Sequence, residues 1–275
     1  MRGTGLRLLA RSGAVAAVAL AAVVGSFLVV PVAPAQAAVG DFGTSTGSGS
    51  AIQATSGSGR YGDRIVWVNW GSQGATLGNK TVTTWQQIGP ASRLAVDCTL
   101  SGISGGSLQA YRPGQYANDG LQMLYNTSAS NLVNGIGTVT NGSDVAFTVT
   151  CANARIATYP STDFTGTPTT TAVSLAGLVF ADAESTHNGE YLDATPSNGT
   201  GTTWRLLDAY PGTCGSTYSV TTAPTWRGNN QVELTADEAC DGSGRSATAV
   251  LFANGGTSLD VELKGSGLAA AAFGY

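Results

Sequence analysis

Charge is scarce in this sequence. Two lysines, Lys80 and Lys264, and one histidine, His187, occur in 275 residues, and only 11% of positions are charged. No run of basic residues exists, so nucleic acid and anionic lipid lack the positive patch both require. With one histidine, a histidine-dependent hydrolase would have a single residue to use, and neither a G-x-S-x-G turn nor a nucleophilic cysteine context accompanies it. The four cysteines show no C-x-x-C spacing, which removes the usual signature of a zinc site. Helical periodicity is also missing, apart from a short stretch at Asp119 to Tyr125 where Leu121, Leu124 and Tyr125 share one side. No repeat of solenoid length is visible.

The first residues carry Arg2, Arg7 and Arg11, then an uncharged apolar run from Gly13 to Val30, then Pro31, Pro34 and the small-residue site Ala35-Gln36-Ala37. That order reads as a secretory signal peptide over 1–37, cleaved before Ala38; an uncleaved segment would instead be a membrane anchor. Loss of the leader leaves ten basic residues against 17 acidic ones, a formal charge near −7. Residues 38–60 are dominated by Gly, Ser and Thr and read as a flexible lead-in, with the domain proper at 61–275.

Glycine is abundant, at 38 positions, and Thr, Ser and Asn stand where a cytosolic protein would place Lys and Glu. With Asn-Gly or Asp-Gly turn signals between short apolar runs, the expected fold is an all-β sandwich with long loops. Ile65 to Trp70 is apolar on both faces, as a strand covered on both sides would be. Leu94, Val96, Cys98 and Leu100 alternate, as do Val145, Phe147, Val149 and Cys151, so both cysteines point at the core. Four exported cysteines permit three pairings; the shared inward facing pairs Cys98 with Cys151 and leaves Cys214 with Cys240. Further strands are expected at Val173 to Phe180, Trp204 to Leu207, Val232 to Leu234, Thr248 to Ala253 and Leu259 to Leu263. Tyr159 to Thr171, rich in Thr and Pro, reads as a long surface connection.

Three groups could carry function. Asp182, Glu184, His187 and Glu190 follow an apolar strand; such a cluster could take calcium, with Asp182 and Glu184 as ligands, or Glu184 and Glu190 could act as a glycosidase pair. A hydrogen-bonded structural turn is the plainer alternative. The aromatic set Tyr61, Trp67, Trp70, Trp85, Tyr111, Tyr116, Tyr125, Trp204 and Trp226 could offer stacking faces for sugars or anchors for an interface, or simply fill the core. The third is Tyr111 to Tyr116 with its Pro-Gly turn, running on to Asp119 and Tyr125, as a pocket rim or a packed loop. The binding candidates are therefore Trp67, Trp70, Tyr111, Tyr116, Asp119, Tyr125, Asp182, Glu184 and Glu190, with no catalytic residue and no cofactor expected beyond structural calcium.

Several stretches taken together resemble one family. They are Gly59 to Gly71 (GRYGDRIVWVNWG), Tyr111 to Asn126, Phe180 to Ser185, Gly189 to Tyr191, Trp204 to Leu207, and Val261 to Gly267 with Phe273-Gly274-Tyr275. In this order they are similar to the CshA-type non-repetitive domain of Gram-positive surface fibril adhesins, of the kind found in actinobacterial envelopes. The resemblance implies a lectin-like sandwich, secreted or at the cell surface, that binds host extracellular-matrix glycoproteins or surface glycans without catalysis. It carries over no residue-level binding map. No LPxTG-type sorting motif is present, so covalent wall anchoring is not expected from these residues. The alternatives are a secreted carbohydrate-active hydrolase and an envelope protein with no specific ligand.

Overall fold

The computed structural model describes residues 53–54, 56–113, 120–126, 133–183, 190–197, 201–210, 212–214, 218–220, 223–226, 230–235, 248–265 and 267–275. In chain order the strands are β1 (Thr76–Leu77), β2 (Lys80–Gly89), β3 (Ser92–Ser104), β4 (Leu108–Tyr111), β5 (Gly135–Thr138), β6 (Asp144–Thr158), β7 (Thr169–Ala172), β8 (Gly177–Asp182), β9 (Tyr191–Pro196), β10 (Thr203–Tyr210), β11 (Gly212–Cys214), β12 (Tyr218–Val220), β13 (Ala223–Trp226), β14 (Val232–Thr235), β15 (Thr248–Asn254), β16 (Ser258–Lys264) and β17 (Ala270–Gly274). Among the described residues one short helix, α1 (Gly120–Leu124), lies between β4 and β5, within the stretch whose periodicity predicts it.

Two antiparallel sheets face each other. One runs β1-β4-β5-β17-β8-β15-β10; the other runs β13-β14-β9-β16-β6-β3-β2, with β7 paired to the far half of β6; β11 and β12 form a separate ribbon. Alternation builds the space between the sheets. Val145, Phe147, Val149 and Cys151 of β6 point inward with Val96, Cys98 and Leu100 of β3, against Leu178, Phe180, Leu251 and Phe273 of the other sheet. At the centre, Phe273 packs edge-on against Trp70 and Phe147, with ring centroids 6.3 and 6.1 Å apart, an arrangement worth about 0.5–1.5 kcal/mol per pair beyond the area it buries.

The disulfide expected between Cys98 and Cys151 is present, with the two residues directly opposite each other in the β3–β6 ladder. Cys240 and the side chain of Cys214 lie outside the described residues.

The seven-stranded sheet is covered on its other face too. Val179, Ala181, Val250, Ala270 and Ala272 pack there beneath Ile65, Trp67, Leu121, Leu124 and Tyr125. Ile65 to Trp70 therefore is covered on both sides, as its composition predicts: Val68 and Trp70 face the main core, Ile65 and Trp67 the second cluster. The segment pairs locally rather than as a long strand. Val66 and Tyr275 exchange backbone hydrogen bonds of 3.0 Å, and Trp70 N donates to Val133 O at 2.8 Å.

The last residues of the lead-in are tied to this second layer. Ser58 and Gly59 donate backbone hydrogen bonds to Met123 and Leu124 of α1. Arg60 donates from its backbone N (3.0 Å) and Nε (2.7 Å) to the buried carboxylate of Asp208, which also accepts the hydroxyl of Tyr125. Burial, reinforced by that carboxylate, raises the Tyr125 phenol well above its ordinary value.

Candidate functional site

The sequence-derived aromatic candidates are located in the two cores. Trp67, Trp70 and Tyr125 are 0% exposed and Tyr111 is 2% exposed. Of the two readings open to these rings, the structure places them in the core: Trp67 packs tilted against Tyr125 beneath α1 with ring centroids 5.8 Å apart, and Trp70 packs edge-on with Phe273. An apolar run on both faces of an extended segment had this bland reading, and packing selects it. Tyr116, Asp119, Glu184 and His187 lie outside the described residues.

Asp182 and Glu190 are also buried, at 1% and 3% exposure. Asp182 ends β8, and its carbonyl accepts the Thr248 hydroxyl at 3.0 Å. Glu190 precedes β9 in the opposite sheet and packs on Gly265, where a Cβ would stand 2.8 Å from its Oε1. Glycine at 265 thus makes room for the carboxylate. Among the described residues no group of three metal-ligating side chains comes together.

What the structure assembles on the surface is different. The outer face of the eight-stranded sheet carries rows of side chains fixed by register. Gln87, Arg93, Ala157 and Thr170 form one row across β2, β3, β6 and β7; Trp85, Ala95, Arg155 and Ala172 form the next; Thr83, Asp97 and Ala152 form a third. Residues directly opposite in a ladder share a face, so these side chains are neighbours.

A bulge makes this face. Up to Cys151 the odd-numbered residues of β6 point inward, and strict alternation would send Arg155 into the core. Between the pairs Asp97↔Ala152 and Ala95↔Arg155, β6 spends one residue more than β3. Asn153 takes φ +52°, a conformation in which Asn is among the least strained of non-glycine residues. The phase therefore changes, so that Ala154 joins the core and Arg155 turns outward.

Once outside, Arg155 forks onto Asp97, with Nη1 3.0 Å from Oδ2 and Nη2 3.2 Å from Oδ1. Asp97 also accepts from the Thr83 hydroxyl at 2.8 Å and from Asn153 Nδ2 at 3.3 Å. Both ends of the pair are partly screened, with side chains 32% and 21% exposed. Asp97, Asn153, Ala154, Arg155, Thr170 and Ala172 line an open cleft of about 420 Å³.

The same face also carries an aromatic cluster around a cation. The Arg93 guanidinium lies 3.8 Å from the ring centroid of Phe164, 5.3 Å from that of Tyr159 and 5.5 Å from that of Trp85. Tyr159 and Phe164 meet edge-on at 5.4 Å. Each cation–ring contact at such a half-exposed site is worth roughly 0.5–1 kcal/mol. Phe164 is held there at φ +58°, unusual for a bulky residue and costing on the order of 1–3 kcal/mol. Its turn is closed by Asp163, whose carboxylate accepts from the hydroxyls of Ser161 and Thr165 and from the Thr165 backbone N at 3.3 Å. Those hydrogen bonds hold the Asp163 carboxyl below its ordinary value.

Of this face, the sequence pointed only to Trp85, as one aromatic among nine. Arg93, Asp97, Arg155, Tyr159 and Phe164 were missed, and the Tyr159 to Thr171 segment, read as a connection, supplies both the Phe164 turn and the start of β7. The usable signal was the outward phase of Trp85 on β2 and of Asp97 between the inward Val96 and Cys98 of β3.

A family model described as surface adhesin CshA non-repetitive domain 2 matches residues 63–275. No curated protein and no solved structure matches the chain.

Proposed function

The chain belongs to the family of the surface adhesin CshA non-repetitive domain 2, and from that premise we propose that it is a non-enzymatic, exported binding domain for host glycoproteins or their glycans. Family membership supports a role in adhesion at the cell surface or outside the cell. The observation that supports the finer reading is the outer face of the eight-stranded sheet, where the hydrogen-bonding Asp97–Arg155 pair lines an open cleft and the same face carries half-buried aromatic rings packed about Arg93. The inward burial of Glu190 gives the hydrolase alternative little support, since a general acid must reach the scissile bond.

The test is binding of the purified chain to immobilised matrix glycoproteins, native and enzymatically deglycosylated, with calcium and with chelator in parallel. Saturable binding lost on deglycosylation is the expected result. Equal binding before and after deglycosylation would move recognition to the polypeptide, and loss in chelator would restore calcium at the acidic cluster. No binding in any arm would favour a structural envelope role.

A further inference from the structure

We propose that β2 (Lys80–Gly89), the outer strand of the eight-stranded sheet, is a pairing edge for a second copy of this chain, the two β2 strands lying antiparallel about a two-fold axis at Thr84 so that the sheets of both copies join into one.

The phase of β3 decides which backbone groups of β2 turn outward. Cys98 and Cys151 stand opposite each other with Cα atoms 4.1 Å apart, and Cys151 N donates away from β3, to Thr257 O at 2.8 Å. In an antiparallel ladder such close spacing marks a pair whose N–H and C=O groups point away from each other. Those of Cys98 therefore point at its β2 partner Val82, and along the regular ladder from Lys80 to Gln87 the even-numbered residues of β2 bond to β3. The backbone groups of the odd-numbered residues point out of the sheet. Among the described residues no backbone hydrogen bond reaches those of Thr81, Thr83 or Gln87 from outside.

Proteins ordinarily blunt such edges with short strands, prolines, bulges or charge. The other outer strands described here do so. β1 has two residues, β7 four, β13 four with Pro224 among them, and the β11–β12 ribbon three on each side. β10 is longer but is broken by a bulge between Leu206 and Asp208. In contrast β2 has ten residues, no proline and no irregularity before Gln87. Its one charged side chain, Lys80, stands at the start and is held on Trp70 O at 2.9 Å.

The sequence of the strand selects its partner. Antiparallel pairing about Thr84 sets Thr81 opposite Gln87, Thr83 opposite Trp85 and Lys80 opposite Ile88. No like charges meet, and a β-branched side chain lies beside an aromatic one on each side of the axis, a favourable cross-strand pair. The odd-numbered residues then face each other with N–H and C=O directed across the gap, as the bonded pairs of an antiparallel ladder require. Val82, Thr84 and Gln86, all buried, keep facing inward, so the two sheets join without exchanging faces.

The experiment is sedimentation velocity of the purified chain over rising concentration, with amide hydrogen exchange read by NMR at the lowest and highest. Expected is a monomer–dimer equilibrium in which the amides of Thr81, Thr83 and Gln87 gain protection only in the dimer, while those of Val82, Thr84 and Gln86 are protected throughout. Thr83→Lys puts a charge on the edge, and Thr83→Pro removes an outward N–H without removing a bond to β3. Each is expected to raise the dimer dissociation constant by roughly tenfold or more, the tenfold corresponding to about 1.4 kcal/mol, with the circular dichroism of the native chain retained. If the proline variant fails to fold, Thr83→Lys alone decides. A monomer at every concentration would overturn the proposal, as would a dimer that Thr83→Lys leaves intact. Protection of the Thr81 and Thr83 amides already in the dilute monomer would show the edge covered within one chain and would overturn it equally.

Discussion

Breaking the Cys98–Cys151 bridge tests how the sandwich is held in register beneath the cleft. The bond spans 53 residues, and the enclosed stretch leaves the eight-stranded sheet, contributes β4, α1 and β5 to the other layer, and returns as β6. Closing a loop of that length removes unfolded-state entropy worth about 4 kcal/mol at 25 °C. For a domain of this size each kcal/mol moves Tm by roughly 2–4 °C, so loss of the bridge should lower Tm by roughly 8–16 °C. Both sulfurs are buried, so reductant without denaturant is expected to leave the native bond intact. The assay is calorimetric melting of Cys98→Ala, Cys151→Ala and the double variant. Each single change removes the same link, so the three should fall together rather than additively. A single variant that melts with the native protein, or a double variant that falls by the sum of two large single effects, would refute the loop-closure reasoning.

Three further outcomes are expected. Asp208→Asn should cost about 2 kcal/mol, because the charge-assisted hydrogen bonds from Arg60 and Tyr125 weaken; hydrogen exchange should show the Ser58 and Gly59 amides released from α1, and unchanged protection there would contradict the staple. Burial pushes the Tyr275 hydroxyl up to about 12, so its stabilising contribution is complete below the ordinary tyrosine value of about 10 and is lost as pH rises from there through about 12; Tyr275→Phe should flatten that part of the alkaline unfolding curve. Asp163 is shifted the other way: its contribution is present above the ordinary aspartate value and is lost as pH falls through its lower folded value. Acidification should therefore loosen the Phe164 turn, read by the ring resonances of Phe164, and Asp163→Ser should remove that pH dependence.

The two faces of the molecule divide the work. The seven-stranded sheet is covered on both sides, and the Ser56–Trp70 stretch turns Trp67 into its outer layer beneath α1 and Trp70 into the main core. The eight-stranded sheet keeps polar side chains on its outer face, so side chains there remain accessible.

The all-β class, the inward alternation of β3 and β6 with their disulfide, the short helix at Gly120–Leu124 and the double-sided cover of Ile65 to Trp70 follow from local pattern alone. Period-2 alternation and turn chemistry are properties of neighbouring residues, and these features needed nothing more. The face that could hold a ligand needed the third dimension. Arg155 is outward only because a one-residue bulge at Asn153 reverses the phase of β6, and a linear pattern carries no mark of where a ladder slips. Arg93 meets Phe164 across 71 positions of sequence through a turn with unusual backbone geometry. Trp67 and Trp70 look the same in sequence whether buried or exposed; their burial was decided by α1 and by Phe273, which reach them from distant parts of the chain.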